Sequence, residues 1–160
     1  MKLFQKTRSL YAVCDGECRE LSTIPDEALG GGMLGQGVAI EPREGSFFSP
    51  ADGVVVSVAT TGHAYTLQTD DGVDVLIHVG VDTVTLGGKG FTPLVREGQR
   101  VEAGTPIARV ELSEIREKGL PTVTAVLVTE PERLETIEYR YGSVSGGKDA
   151  VMRFRVGRKG

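Results

Sequence analysis

The chain runs to 160 residues, with 22 glycines, two cysteines, no tryptophan and a formal net charge of −4 at pH 7. A single domain of this length buries about two-thirds of its unfolded surface and needs no staple, and interleaved acids and bases exclude the basic stripe that nucleic acid requires. No run approaches the ~18 apolar residues of a spanning helix, and Met1 to Ser9 lacks the apolar stretch of a secretion signal, so a cytoplasmic protein is expected.

In chain order, residues 1–9, with Lys2, Lys6 and Arg8, read as a flexible, mildly basic tail on one domain spanning 1–160. Tyr11-Ala12-Val13-Cys14-Asp15-Gly16-Glu17-Cys18 then lines up with Phe48-Ser49-Pro50-Ala51-Asp52-Gly53-Val54-Val55. Each is an aromatic, three residues, Asp-Gly and a strand, a weak repeat that suggests internal duplication. Cys14 and Cys18 fit neither a redox C-x-x-C nor half of a paired zinc motif, and read as two reduced thiols on or near a strand. Glu20 to Gly37, containing Gly30-Gly31-Gly32, has no period and reads as a long loop lying over something functional.

Short β-branched runs predict strands at 54–58, 64–69, 73–81, 106–110, 123–128 and 151–156. Arg96 to Pro106, with Gly98 and Gly104, reads as a tight corner. Leu112 to Lys118 predicts a helix stopped by Gly119, with Pro121 just beyond. Thr129-Glu130-Pro131-Glu132 has the form of a capping box and predicts a second helix to about Ile137. Glycine at about twice its usual ~7% share implies many tight turns. The fold class expected is therefore all-β with one or two short helices.

The chain has two histidines, His63 and His78, on the two arms of one predicted hairpin. With a two-residue loop at Asp71-Gly72, His63 faces Gly80 and His78 is its diagonal neighbour. With the loop at Asp70-Asp71, His63 faces His78 directly. Either register puts both rings on one side of the sheet with Cβ atoms roughly 5–8 Å apart, whereas a three-residue loop puts them on opposite faces. Val73, Val75, Ile77 and Val79 form the core face of the second arm, leaving Asp74, Leu76, His78 and Gly80 on the accessible face. A neutral imidazole is a good nucleophile at pH 7, and a phosphorylated one holds a labile P–N bond suited to onward transfer. A second imidazole can donate to phosphoryl oxygens as charge moves. Two imidazoles are also half of a zinc site.

Val75-Leu76-Ile77-His78-Val79-Gly80-Val81-Asp82-Thr83-Val84 closely resembles the active-site strand of the glucose-type enzyme IIA of the bacterial sugar phosphotransferase system. Thr61-Gly62-His63-Ala64, Ser49-Pro50-Ala51-Asp52-Gly53, Gly90-Phe91, Glu97-Gly98-Gln99-Arg100-Val101 and Gly37-Val38-Ala39-Ile40 resemble the same family, in family order from about Tyr11 to Val156. The resemblance implies a β-sandwich of the duplicated hybrid motif type, which would account for the weak repeat.

The chemistry it implies is a relay. A histidine-containing carrier protein, HPr, would phosphorylate His78, which would pass the group to the IIB domain of a sugar permease, with His63 in support. By the same resemblance Thr61 would bond His63, the Gly80 carbonyl would hold the Nδ1–H of His78, and Asp26 and Asp82 would flank the pocket. Leu29, Met33, Leu34, Leu76 and Val84 would supply partner contacts, where the family usually carries more Phe and Val. Family members also bind other enzymes, so regulatory protein targets belong among the expected partners. No cofactor is expected. Zinc would need a ligand from a partner or a neighbouring molecule beside His63 and His78.

Overall fold

The computed structural model describes residues 6–157. Their strands are β1 (Arg8–Tyr11), β2 (Gly16–Glu20), β3 (Gln36–Pro42), β4 (Ser46–Phe48), β5 (Gly53–Val58), β6 (Ala64–Thr69) and β7 (Asp74–His78), followed by β8 (Phe91–Pro93), β9 (Arg100–Val101), β10 (Pro106–Val110), β11 (Thr124–Val128), β12 (Leu134–Tyr139), β13 (Gly142–Val144) and β14 (Ala150–Val156). Two short helices, α1 (Glu27–Gly30) and α2 (Leu112–Glu117), complete the set with three 3-10 turns. The strands pair antiparallel as an eight-stranded sheet, β13-β2-β3-β11-β7-β6-β5-β9, and two three-stranded sheets, β1-β14-β12 and β4-β10-β8. This is the all-β fold expected. Among the described residues no helix is long and apolar enough to cross a membrane.

One face of the large sheet carries the main core. Val75, Ile77 and Val79 meet Val38, Ile40, Val126, Leu10, Phe47 and Phe154 there, all essentially buried. The period-2 alternation read in the sequence thus sets which side of β7 is sealed. A smaller cluster lies on the outer face, where Ile24, Leu29, Ala39, Val81, Val123, Ala125 and Leu127 are covered by the segment around α1, with Leu76 at its edge.

The weak repeat is a true structural duplication. The Tyr11 N–H donates to the Pro50 carbonyl at 2.9 Å, and the Phe48 N–H donates to the Val13 carbonyl at 2.7 Å, so the aligned residues exchange bonds reciprocally. The Asp15 carboxylate accepts from the Gly146 N–H at 2.7 Å, and its counterpart Asp52 accepts from the Ala103 N–H at 2.8 Å. The glycine after each aspartate is obligatory for space. A Cβ at Gly16 would lie 2.1 Å from the Glu41 carbonyl oxygen, and one at Gly53 would lie 2.2 Å from that of Gln68.

Four expectations need correction. Residues 129–137 are not a helix: a 3-10 turn at Pro131–Arg133 leads into β12, which is bonded to β14. A helix of two turns has little stability of its own, and pairing with β14 draws Leu134–Glu135 and Glu138–Tyr139 into a strand interrupted by a bulge at Thr136, whose φ is 53°. The stretch 20–37 is not a bare loop, because it holds a 3-10 turn at Leu21–Thr23 and α1, which is capped by the Asp26 carboxylate accepting from the Leu29 N–H at 3.0 Å. Of the tail expected at 1–9, Arg8 and Ser9 lie in β1, paired with Phe154 and Arg153, while residues 1–5 lie outside the described residues.

The fourth correction is the hairpin register. The β6–β7 loop has three residues, Asp70-Asp71-Gly72, so that Ala64, not His63, stands opposite His78. The Thr69 N–H donates to the Val73 carbonyl at 2.8 Å across this loop. Gly72, at φ 78°, supplies the left-handed residue that a three-residue hairpin loop demands. The cysteines are free, as expected, and both are buried; burial pushes the thiol of Cys18 up to about 11 and that of Cys14 higher still.

Replacing Gly53 with Ala forces a methyl into the Gln68 carbonyl, and the overpacking should cost about 1–3 kcal/mol. Urea unfolding should show a lower midpoint at unchanged slope. A native midpoint would mean that the corner relaxes without cost.

Candidate active site

His78 is the last residue of β7 and lies on its outer face between the register partners Ala64 of β6 and Ala125 of β11. Two alanines flank the imidazole, so neighbouring side chains leave it half-exposed in a sheet whose other face is sealed. Ala64 lies in the Thr61-Gly62-His63-Ala64 stretch, but its place and that of Ala125 beside His78 follow only from the strand pairing.

Main-chain geometry assigns the tautomer of His78. Its Nδ1 lies 2.8 Å from the Gly80 carbonyl oxygen. A carbonyl only accepts, so the proton sits on Nδ1 and the lone pair of Nε2 is free. Gly80 adopts φ 75°, which turns its carbonyl back toward the ring, and a side chain there would strike Thr83 and the Pro121 carbonyl.

The register places His63 opposite Val79, a core position, so strict alternation would turn it away from His78. The structure nevertheless brings the rings together, with centroids 5.1 Å apart and planes at 81°. His63 precedes the first residue of β6 and follows Gly62, at φ 72°, so its side chain is released from the pleat of the strand. Two bonds hold it there. The Thr61 hydroxyl lies 2.6 Å from His63 Nδ1, and the His63 carbonyl accepts from the Val79 N–H at 2.8 Å. Burial first, and then the nearby His78, lower the pKa of His63 below its ordinary 6.5, which favours the neutral ring at pH 7.

The other residues singled out in the sequence fall into two groups. Asp82 and Val84 belong to the turn that leaves β7 and are exposed, Val84 by 53%. This turn runs alongside Thr61, whose carbonyl lies 3.7 Å from a Cβ built at Gly88. Asp26 is half-buried with one oxygen engaged in capping α1. Leu29 corrects the expectation of a contact surface: it is 4% exposed and packs into the outer cluster, because the first turn of α1 points it at the sheet. Leu76 is half-buried at the edge of the same cluster, while Met33 and Leu34 are exposed just beyond α1. Among the described residues, no three His, Cys, Asp or Glu side chains are gathered that could hold a metal ion.

The lowered pKa of His63 yields a prediction with a definite sign. In His78→Gln the neighbouring imidazolium can no longer form, so the His63 pKa should rise toward 6.5, yet stay below it because burial remains. NMR titration of the ring protons measures this directly. An unchanged or lowered value would show that the two rings do not interact.

Similarity to known proteins agrees with this geometry. Residues 8–134 match the family model for the phosphoenolpyruvate-dependent sugar phosphotransferase system, EIIA 1. The chain is 37% identical over 146 residues to a glucose-specific EIIA component of Bacillus cereus, covering 91% of this chain and 88% of that protein. It is 43% identical over 124 residues to a mannose-specific EIIBCA component of Corynebacterium glutamicum, of which it spans only 18%. A solved structure of the glucose permease IIA from Mycoplasma capricolum superposes with a TM-score of 0.88 at 34% identity, covering 96% of this chain and 99% of that one. A hybrid-motif sandwich with paired histidines on its outer face and a family match over most of its length leads to one conclusion: the chain belongs to the EIIA 1 family of the phosphoenolpyruvate-dependent sugar phosphotransferase system.

Proposed function

We propose that this chain carries a phosphoryl group on Nε2 of His78, accepting it from phosphorylated HPr and passing it to a cysteine of a IIB domain. The observation that carries the proposal is the bond from His78 Nδ1–H to the Gly80 carbonyl, which leaves Nε2 as the free nucleophile.

In the first step Nε2 attacks the phosphorus of the donor phosphohistidine. The Nε2–P bond forms as the donor P–N bond breaks, and the donor imidazole leaves with the bonding pair and takes a proton from solvent. His78 keeps its Nδ1 proton, so the phosphorylated ring bears positive charge facing the Gly80 carbonyl dipole. In the second step a thiolate attacks the same phosphorus and the bonding pair returns to Nε2. The Thr61 hydroxyl can serve His63 Nδ1 as donor or as acceptor; in the donating arrangement the proton of His63 is on Nε2 and available to the phosphoryl oxygens during both steps. A zinc ion at this site would have two nitrogen ligands from the chain and would be completed by water, or by a carboxylate from a partner or a neighbouring molecule.

Incubation with labelled phosphoenolpyruvate, enzyme I and HPr tests the assignment. His78→Ala should remain folded and take up no label. His63→Ala should take up acid-labile label but lose about 10²–10³-fold in onward transfer, the cost of removing one transition-state donor. Label on His63, or on the His78→Ala chain, would overturn the roles.

Docking is proposed on the exposed turn around Asp82 and Val84, extended by Met33 and Leu34. Charge at its rim should act mainly on the association rate. Asp82→Lys should slow phosphorylation by HPr at low salt, with a smaller effect at high salt, where the native attraction is already screened. Val84→Asp should weaken it at every salt concentration. Native rates for both variants across that range would move the docking face elsewhere.

A further inference from the structure

We infer that Thr83 is a positioning residue for this site, holding the Gly80 carbonyl on His78 through the Val79–Gly80 peptide. The inference rests on the phosphocarrier reading for its functional meaning, but its geometry stands apart from that reading.

Thr83 is fully buried, a polar residue placed just after the candidate nucleophile's strand. Its hydroxyl donates to the Val79 carbonyl at 2.6 Å. Val79 joins the two histidines: it follows His78 in the chain, and its N–H donates to the His63 carbonyl at 2.8 Å. Both polar groups of Val79 are therefore committed, one to His63 and the other to Thr83.

The next peptide is held as tightly. Gly80 has φ 75°, and its own carbonyl receives the Nδ1–H of His78. The Val81 N–H donates to the Pro121 carbonyl at 3.1 Å. The Thr83 methyl carbon lies 2.4 Å from the point where a Gly80 Cβ would stand, so it fills the space beside the glycine. The Val79–Gly80 peptide sets φ of Gly80, so releasing it from Thr83 frees one of the two backbone angles that aim the Gly80 carbonyl at His78. Asp82, one of two non-glycine residues with positive φ among the described residues, at 60°, makes the sharp turn that returns Thr83 under Val79.

Without the hydroxyl, the Val79 carbonyl is buried and unpaired, and the peptide is free to turn toward any other donor. The Gly80 carbonyl, then anchored only through the Val81 N–H bond to Pro121, is a looser acceptor for the Nδ1–H of His78, and the neutral ring places its proton on Nε2 more often. Protonated Nε2 has no lone pair with which to attack phosphorus. Thr83 thus acts on the nucleophile without touching the reacting atoms.

The test is two-bond ¹H–¹⁵N correlation spectroscopy of the unphosphorylated protein at pH above about 8, where imidazoles are neutral. Native protein should show His78 as the Nδ1–H tautomer. Thr83→Val, which keeps the shape and removes the hydroxyl, should shift the tautomer ratio by about tenfold toward Nε2–H, the effect of one neutral hydrogen bond. Thr83→Ser, which keeps the hydroxyl and removes the methyl, should restore the native ratio. Phosphoryl uptake from HPr should slow severalfold in the valine variant and recover in the serine variant.

A native tautomer ratio in folded Thr83→Val overturns the inference. If the valine variant does not fold, a serine variant with a shifted ratio overturns it instead, since packing by the methyl would then be what acts. The spectra need no phosphoryl donor, so they fail or succeed independently of the carrier reading. Absence of label on the native chain would overturn that reading while leaving the tautomer result intact.

Discussion

The two Asp-Gly corners exchange main-chain hydrogen bonds, Tyr11 to Pro50 and Phe48 to Val13, and the rest of the molecule is arranged about that exchange. Neither bond can form until both corners are present, because each partner lies in the other copy of the motif. Each aspartate then ties down a third segment, Asp15 at Gly146 and Asp52 at Ala103. These closing segments contribute β13 and β9, the two short strands at the ends of the large sheet. Short ends limit the unpaired edge that a long sheet exposes.

The duplication shows why the chemistry occurs once. Gly16 pairs with Pro42 as Gly53 pairs with Thr69, so β3 in one copy corresponds to β6 in the other. Gln36 then stands where His63 stands, and Leu127, opposite Gly37, stands where His78 stands opposite Ala64. The two copies meet where Ile77 faces Val126 on β7 and β11. On the Leu127 side, the segment around α1 closes the outer face with Ile24 and Leu29. On the His78 side no such cover is packed among the described residues, and the half-exposed imidazole of His78 takes the place of the buried Leu127. One scaffold thus provides a sealed outer face and an open one.

At the open face, backbone groups do much of the work. The Gly80 carbonyl selects the His78 tautomer and the His63 carbonyl takes the Val79 N–H, while hydroxyls of Thr61 and Thr83 hold the remaining atoms. These bonds lie at the end of a central strand of the large sheet or join its neighbours to it, so the arrangement is in place before any partner binds. Preorganisation of this kind would avoid ordering cost in the transfer proposed for the site.

The sequence by itself determined the sealed face of β7, because alternating Val and Ile can be buried only one way. It also determined the Asp-Gly corners, whose repeat is visible as letters, and the identity of the two histidines. Tertiary structure alone decided the hairpin register: Asp70-Asp71-Gly72 admits two- or three-residue loops, and a one-residue slip reverses the face of a strand. His63 reaches His78 despite that slip, because it stands outside β6 behind Gly62, a placement that depends on where pairing begins. Leu134 to Tyr139 became a strand because β14 lies beside it, and Leu29 became core because the sheet lies under it. Local preference is worth a few tenths of a kcal/mol per residue, about what a single non-local neighbour can outweigh.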